Sequence, residues 1–194
     1  MQGAEIELKF GVADVAGFRK RVGAVGFRLK TERTFEANTL YDTPERELRG
    51  RKQLLRLRNY GERCTVTHKR QAEGGDDGAR YKTRIETESR VEDCEALAEI
   101  FCQLGFGPVF RYEKYRTEWE ADGGHLVLDE TAIGVWAELE GEPGWIDGML
   151  ELLGVPVEDC STESYGTLFL AWKERTGSPA ENLTFDEVGS VAVG

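Results

Sequence analysis

Positive charge is the minority sign in this chain of 194 residues: 25 Lys and Arg stand against 36 Asp and Glu, a formal net charge of −11. General nucleic-acid binders and binders of anionic membranes draw affinity from a basic surface and counterion release, so both classes are excluded as partners. Any anionic ligand must instead meet a local basic cluster or a metal ion. Long apolar runs are also missing, and nothing reaches the roughly 20 residues a membrane span needs. The chain enters Glu5-Ile6-Glu7-Leu8-Lys9 almost at once, without the basic and apolar regions of a signal peptide, so the expected compartment is the cytoplasm. Cysteine is sparse: Cys64, Cys94, Cys102 and Cys160 form no Cys-x-x-Cys pair. That spacing supports neither a zinc knuckle nor a redox motif, and small buried free thiols are the expectation. No Pro/Ser-rich linker divides the chain, which predicts one compact domain with a real core.

What is present is mostly strand, with period-2 alternation broken by short amphipathic helices. Residues 4–11 read as a first strand, and Asp14 can cap a helix to about Ala24 that carries Val15, Phe18 and Val22 on one stripe. Residues 27–41 read as a long strand that ends where Asp42 opens the turn Asp42-Thr43-Pro44. Residues 54–60 and 64–70 form a hairpin around Gly61, followed by a Gly/Asp-rich loop over 73–78. Further strands are expected over 81–91, 109–120, 125–129 and 135–140, with helices over 92–104, 145–153 and 162–175. Beyond Gly177 the pattern weakens and predicts a loose cover.

The informative feature is what alternates. Successive side chains of a strand point to opposite faces, so Ile6, Leu8 and Phe10 oppose Glu5, Glu7 and Lys9. Leu55 and Leu57 likewise oppose Arg56 and Arg58, and Ala137 and Leu139 oppose Glu138 and Glu140. Thr65, Thr67 and Lys69 share a face; so do Lys82, Arg84, Glu86 and Glu88, and so do Lys114, Arg116 and Glu118. A sheet packed on one side and wet on the other would give the same alternation. Such a face favours Thr, Ser and Gln with scattered charge, however, whereas rows of Arg, Lys and Glu recur here on at least six strands. The set predicts an α+β fold: an antiparallel β-barrel with a charged lumen and helices packed outside. Basic residues beside acidic ones are what a polyphosphate with divalent cations requires, since Arg and Lys contact phosphate oxygens while carboxylates hold hard Mg²⁺ or Mn²⁺.

The opening Glu-x-Glu-x-Lys of residues 5–9 resembles the signature of the CYTH family, the triphosphate tunnel metalloenzymes. Further segments similar to that family follow in order: Tyr41-Asp42-Thr43-Pro44, Leu55-Arg56-Leu57-Arg58, Thr67-His68-Lys69, Arg84-Ile85-Glu86-Thr87-Glu88, Arg111 to Arg116, Glu138-Leu139-Glu140-Gly141 and Ser164-Tyr165. The resemblance implies an eight-stranded tunnel over residues 1–176, with 177–194 as a tail. It implies that Glu5, Glu7, Glu138 and Glu140, with Asp129 as a further candidate, hold Mg²⁺ or Mn²⁺. Lys9, Arg56, Arg58, Lys69, Lys114 and Arg116 would grip a triphosphate, joined by Lys82 and Arg84, and Lys9, Glu138 and Glu140 would carry the catalysis. The implied partner is a nucleoside triphosphate or inorganic triphosphate. The pattern looks most like class IV adenylyl cyclases, with triphosphate hydrolysis as the alternative chemistry and non-catalytic nucleotide or polyphosphate sensing as a third. A monomer or homodimer is expected. His68 faces away from Lys69 and reads as a core or surface residue; His125 reads as solvated.

Overall fold

The computed structural model describes residues 2–71 and 80–189; of residues 2–4 and 82 it describes the backbone. The Gly/Asp-rich loop over 73–78 and the Lys82 side chain therefore lie outside the described residues. In chain order the elements are β1 (Gln2–Gly11), α1 (Val15–Val25), β2 (Arg28–Asp42), α2 (Glu47–Gly50), β3 (Leu54–Tyr60), β4 (Arg63–Gln71), β5 (Lys82–Val91) and α3 (Cys94–Gln103). There follow β6 (Gly107–Ala121), β7 (Gly124–Thr131), β8 (Gly134–Gly141), α4 (Pro143–Leu153), β9 (Cys160–Ser161), α5 (Tyr165–Thr176) and α6 (Phe185–Val188).

The strands run β5-β4-β3-β2-β6-β7-β8-β1, each antiparallel to its neighbours, and β1 then pairs with β5 from Gln2↔Thr87 to Glu7↔Lys82. That last ladder closes an eight-stranded barrel and leaves no free sheet edge in the wall. The short β9 adds to β1 at Lys9↔Ser161 and Phe10↔Cys160.

Closure turns the apolar faces outward. Leu8, Phe10, Leu126, Leu128, Ala137 and Leu139 form a buried patch on the outer wall of β1, β7 and β8, covered by Phe18 and Val22 of α1 and by Ile146, Leu150 and Leu153 of α4. Asp14 caps α1 by accepting from Gly17 N, and Gly26 ends it in the left-handed conformation at φ 99° that a residue without Cβ adopts readily. Asp42 fixes the turn after β2 more firmly than a simple turn signal suggests: its carboxylate accepts from the backbone N–H groups of Thr43, Leu48 and Arg49 at 2.8, 2.9 and 3.0 Å.

Two expectations are corrected. The four cysteines are not all buried thiols: Cys64 of β4 and Cys94 of α3 are joined by a disulfide, and Cys102 is exposed. No residue of α3 is buried, so this bond, with the Tyr41–Phe101 ring contact, tethers a helix that has little packing of its own. Residues 178–189 are also no loose cover: Leu183 bonds the backbone of β6 on both sides, Ala180 and Leu183 are buried, and α6 follows. Among the described residues no helix is long and apolar enough to cross a membrane. Leu139 is fully buried between wall and α4. Leu139→Ala is expected to cost about 2–5 kcal/mol in urea denaturation while the far-ultraviolet spectrum keeps its strand signal; a loss below about 1 kcal/mol would contradict this packing.

Candidate active site

The charged faces line a cavity of about 1130 Å³ that runs from the barrel interior to a mouth bordered by residues of α2 and α5. Burying a charge costs several kcal/mol unless it is paired, and the lumen solves this with two interlocked groups.

The first group is cationic. Lys114 and Arg116 of β6 meet Asp129 of β7: Lys114 Nζ lies 2.8 Å from Oδ2, and Arg116 forks onto both oxygens at 2.7 and 2.6 Å. Arg116 also reaches Glu138 at 3.0 Å, and Glu138 accepts from Lys9 at 3.0 Å. Glu36 of β2, with no solvent exposure, takes Arg58 at 2.7 Å and Lys114 at 3.3 Å. Burial pushes the Glu138 carboxyl up, but Lys9, Arg116 and Lys114 overcome it and hold the group well below the ordinary carboxylate range. Glu36 behaves alike: burial raises it, and Lys114, Arg116 and Arg58 bring it far below that range. An aromatic floor backs the amines. Lys9 Nζ stands 3.9 Å from the centroid of Tyr165 and Lys114 Nζ 4.8 Å from the same ring, which stacks on Tyr112. The Tyr165 hydroxyl donates to Asp129 at 2.7 Å; burial and that carboxylate raise its pKa well above the ordinary phenol value.

The second group is acidic. Glu7 and Glu140 face each other across the β1–β8 ladder, and Lys69 is held between Glu5 at 2.6 Å and Glu86 at 2.8 Å. Burial lowers the Lys69 pKa, as does Arg56, yet Glu5, Glu86 and Glu7 leave it raised. Glu140 is pushed up to about 7, by desolvation first and then by repulsion from Glu5 and Glu7. Arg56 lies between the groups, within 3.8 Å of Glu86 and bonded to Tyr112 Oη and Thr67 Oγ1. Glu88 accepts from Thr67, Glu118 accepts from Thr31, and Arg84 lines the cavity with a long contact to Lys52 O at 3.5 Å.

The structure thus gathers Lys9, Arg58, Lys114, Arg116, Asp129 and Glu138 into one network and Glu5, Arg56, Lys69 and Glu86 into a second. His125 is exposed, and His68 meets Gln53. Sequence reasoning passed over Glu36, Asn38, Tyr112 and the hydroxyl role of Tyr165. The signal for the first two was available: Glu36 and Asn38 alternate with Phe35 and Ala37 along β2 as the other rows do. Nothing in the sequence indicated that α5 would send Tyr165 to Asp129.

Hard oxygen donors crowded enough to repel one another suit Mg²⁺ or Mn²⁺ chemically, and Glu5, Glu7 and Glu140 are such a set. Among the described residues no three acidic, His or Cys side chains form a ready-made cage. Asp129 has its oxygens committed to Lys114, Arg116 and Tyr165.

A closed antiparallel barrel with a charged lumen and outer helices defines a tunnel protein. The CYTH domain profile matches residues 3–142, and the chain belongs to the CYTH family. It is 27% identical over 137 residues to a candidate adenylate cyclase of Methanocaldococcus jannaschii, covering 70% of this chain and 75% of that protein. Its fold is similar to that of a candidate adenylate cyclase of Vibrio parahaemolyticus, with TM-score 0.70, 18% identity and coverage of 86% and 97% of the two chains. It is also similar to a candidate adenylyl cyclase of Hippeastrum described as having a dominant triphosphatase activity, with TM-score 0.61, 21% identity and coverage of 89% and 96%.

The raised Glu140 pKa has a thermodynamic consequence. Its folded value, about 7, exceeds the ordinary 4.5, so its contribution to stability is fully present below about pH 4.5 and is lost as pH rises through 7. A divalent ion, if held at the same carboxylates, would compete with that proton. Added Mn²⁺ is therefore expected to raise the melting temperature more at pH 8 than at pH 6, and Glu140→Gln to remove the difference; equal shifts for the native protein at both pH values would place the ion elsewhere.

Proposed function

We propose that this protein is a divalent-metal-dependent enzyme that binds a triphosphate substrate inside the barrel and acts as a class IV adenylyl cyclase-like enzyme, converting ATP to cyclic AMP and pyrophosphate. The observation that carries the reading is the pairing, in one closed lumen, of a cationic network with a separate, mutually repelling carboxylate set. A simple anion trap needs only the first. Lys9, Arg58, Lys114 and Arg116 would hold phosphate oxygens, with Arg56, Lys69 and Arg84 extending the track. Glu5 and Glu7 would hold Mg²⁺ or Mn²⁺, with Glu138 and Glu140 beside them on the side of the nucleophile. Bound there, the ion would neutralise charge on the phosphate oxygens. Asp129 serves on this reading to position Lys114 and Arg116 rather than to ligate metal.

In the cyclase reaction the 3′-oxygen forms a bond to the α-phosphorus while the bond from that phosphorus to the bridging oxygen of pyrophosphate breaks. The proton of the 3′-hydroxyl passes to Glu140, whose basicity near neutral pH suits a general base. A second reading, hydrolysis with release of orthophosphate, is favoured by one observation: Glu140 is open to lumen solvent, so water could take the place of the 3′-hydroxyl. The relative from Hippeastrum supports keeping it.

The deciding assay incubates the protein with Mg²⁺ or Mn²⁺ and ATP, GTP, thiamine triphosphate or tripolyphosphate, and measures cyclic nucleotide, pyrophosphate and orthophosphate separately. Cyclic AMP with pyrophosphate is the expected result. Orthophosphate alone would select the hydrolase, and tight binding without turnover would overturn both readings in favour of a sensor. Glu140→Gln should lower turnover by about 10²-fold or more, the usual range for loss of a general base, while leaving metal-free binding of tripolyphosphate nearly intact.

A further inference from the structure

The cations assigned above to phosphate are already engaged by carboxylates, and one of those carboxylates has no place in the proposed chemistry. Glu36 is fully buried at the back of the lumen wall, on β2. Its Oε2 accepts from Arg58 Nε at 3.0 Å and lies 2.7 Å from Arg58 Nη2 and 3.9 Å from Arg116 Nε. Its Oε1 lies 3.3 Å from Lys114 Nζ and accepts from Asn38 Nδ2 at 2.8 Å. Within the cluster, four cations (Lys9, Arg58, Lys114 and Arg116) face three carboxylates (Glu36, Asp129 and Glu138). The surplus is a single positive charge, and Glu36 decides whether it is one or two. Asp129 shares Lys114 and Arg116 and is also bonded by Tyr165, so it ties the network to α5. Arg58 has no second carboxylate: Glu36 is the one paired with it among the described residues, and its guanidinium otherwise stands 5.0 Å from the centroid of the Tyr60 ring.

Resting on the triphosphate reading, we propose that Glu36 is a positioning residue that aims Arg58, Lys114 and Arg116 into the lumen and, by offsetting one of their charges, limits how tightly the tunnel holds a polyphosphate anion, so that the product can leave. A purely structural carboxylate would hold the cations too; the proposal differs in the sign it gives to ligand binding. Asn38 supplies the independent check. It is 2% exposed, it touches Glu36, and its Oδ1 has no hydrogen-bond partner among the described residues. A carboxylate put there faces Glu36 Oε1 and shares a proton with it, so Asn38→Asp is measured at pH 9, where the pair gives up that proton and adds negative charge to the same cluster with almost no change of shape.

The test is calorimetric titration of tripolyphosphate, without divalent ion, into the native protein, Glu36→Gln and Asn38→Asp, with kcat and KM measured on whichever substrate the native protein turns over. Glu36→Gln is expected to bind about tenfold more tightly, the order of one partly screened charge at close range, and to show kcat and KM falling together. Asn38→Asp is expected to bind several-fold more weakly. Unchanged or weaker binding by folded Glu36→Gln would overturn the proposal, as would unchanged or tighter binding by Asn38→Asp, which carries the test if Glu36→Gln does not fold. Failure of the native protein to bind tripolyphosphate at all would instead remove the triphosphate reading on which this one stands.

Discussion

The ladder between β1 and β5 is the constraint on which the other features depend. Without it the eight strands would form an open sheet with one apolar and one ionic face, and the ionic face could sit in bulk water at no special cost. With it, Lys9, Glu36, Lys114 and Asp129 are nearly or fully withdrawn from solvent. Withdrawn charges must find partners, and a buried partner removed leaves a penalty of several kcal/mol. The interleaving of signs across neighbouring strands, Lys9 with Glu138 and Arg58 with Glu36, is how this wall meets that requirement.

The same closure explains where the helices lie. Once the charges face inward, the apolar rows face outward and need cover, which α1 and α4 provide over β1, β7 and β8. α5 differs, since its Tyr165 and Phe169 pack on Phe110 and Tyr112 and the Tyr165 hydroxyl reaches Asp129. A helix outside the barrel is thereby mechanically continuous with the cation network inside it. The tail contributes to this arrangement, because Leu183 bonds β6 on either side of Tyr112.

Much of this was legible in the sequence because a strand reports its two faces directly. The alternation in residues 5–10, 55–58 and 137–140 was enough to place Lys9, Arg56, Arg58, Glu138 and Glu140 on one side, and Asp14, Gly26 and Asp42 marked element ends where the structure has them. What escaped depends on contacts distant in sequence. The Cys64–Cys94 disulfide joins residues 30 apart that obey no motif spacing. Tyr165 meets Asp129 across 36 residues through a helix whose apolar pattern gives no reason to point a hydroxyl at a buried carboxylate. Glu36 was readable from its parity along β2 but hidden by exposed charges at Glu32 and Arg33, which make that strand look solvated.

The distribution of sign within the lumen bears on what it can do. Had the carboxylates been spread evenly, each cation would be neutralised locally and the cavity would resemble a salt-bridged core with no field to attract a ligand. Instead the cationic network carries a slight positive surplus, while desolvation, and after it the neighbouring Glu5 and Glu7, push the Glu140 pKa up to about 7. In a lumen polarised in this way a bare polyanion is matched by the basic wall alone and a bare cation by the acidic wall alone, so either would use half of the site. A polyanion arriving with its own divalent cation satisfies both walls at once, because each part lies against the sign it needs. The overall charge of −11 fits the proposed role, since a surface that discourages anions in general would leave their binding to the basic part of the lumen.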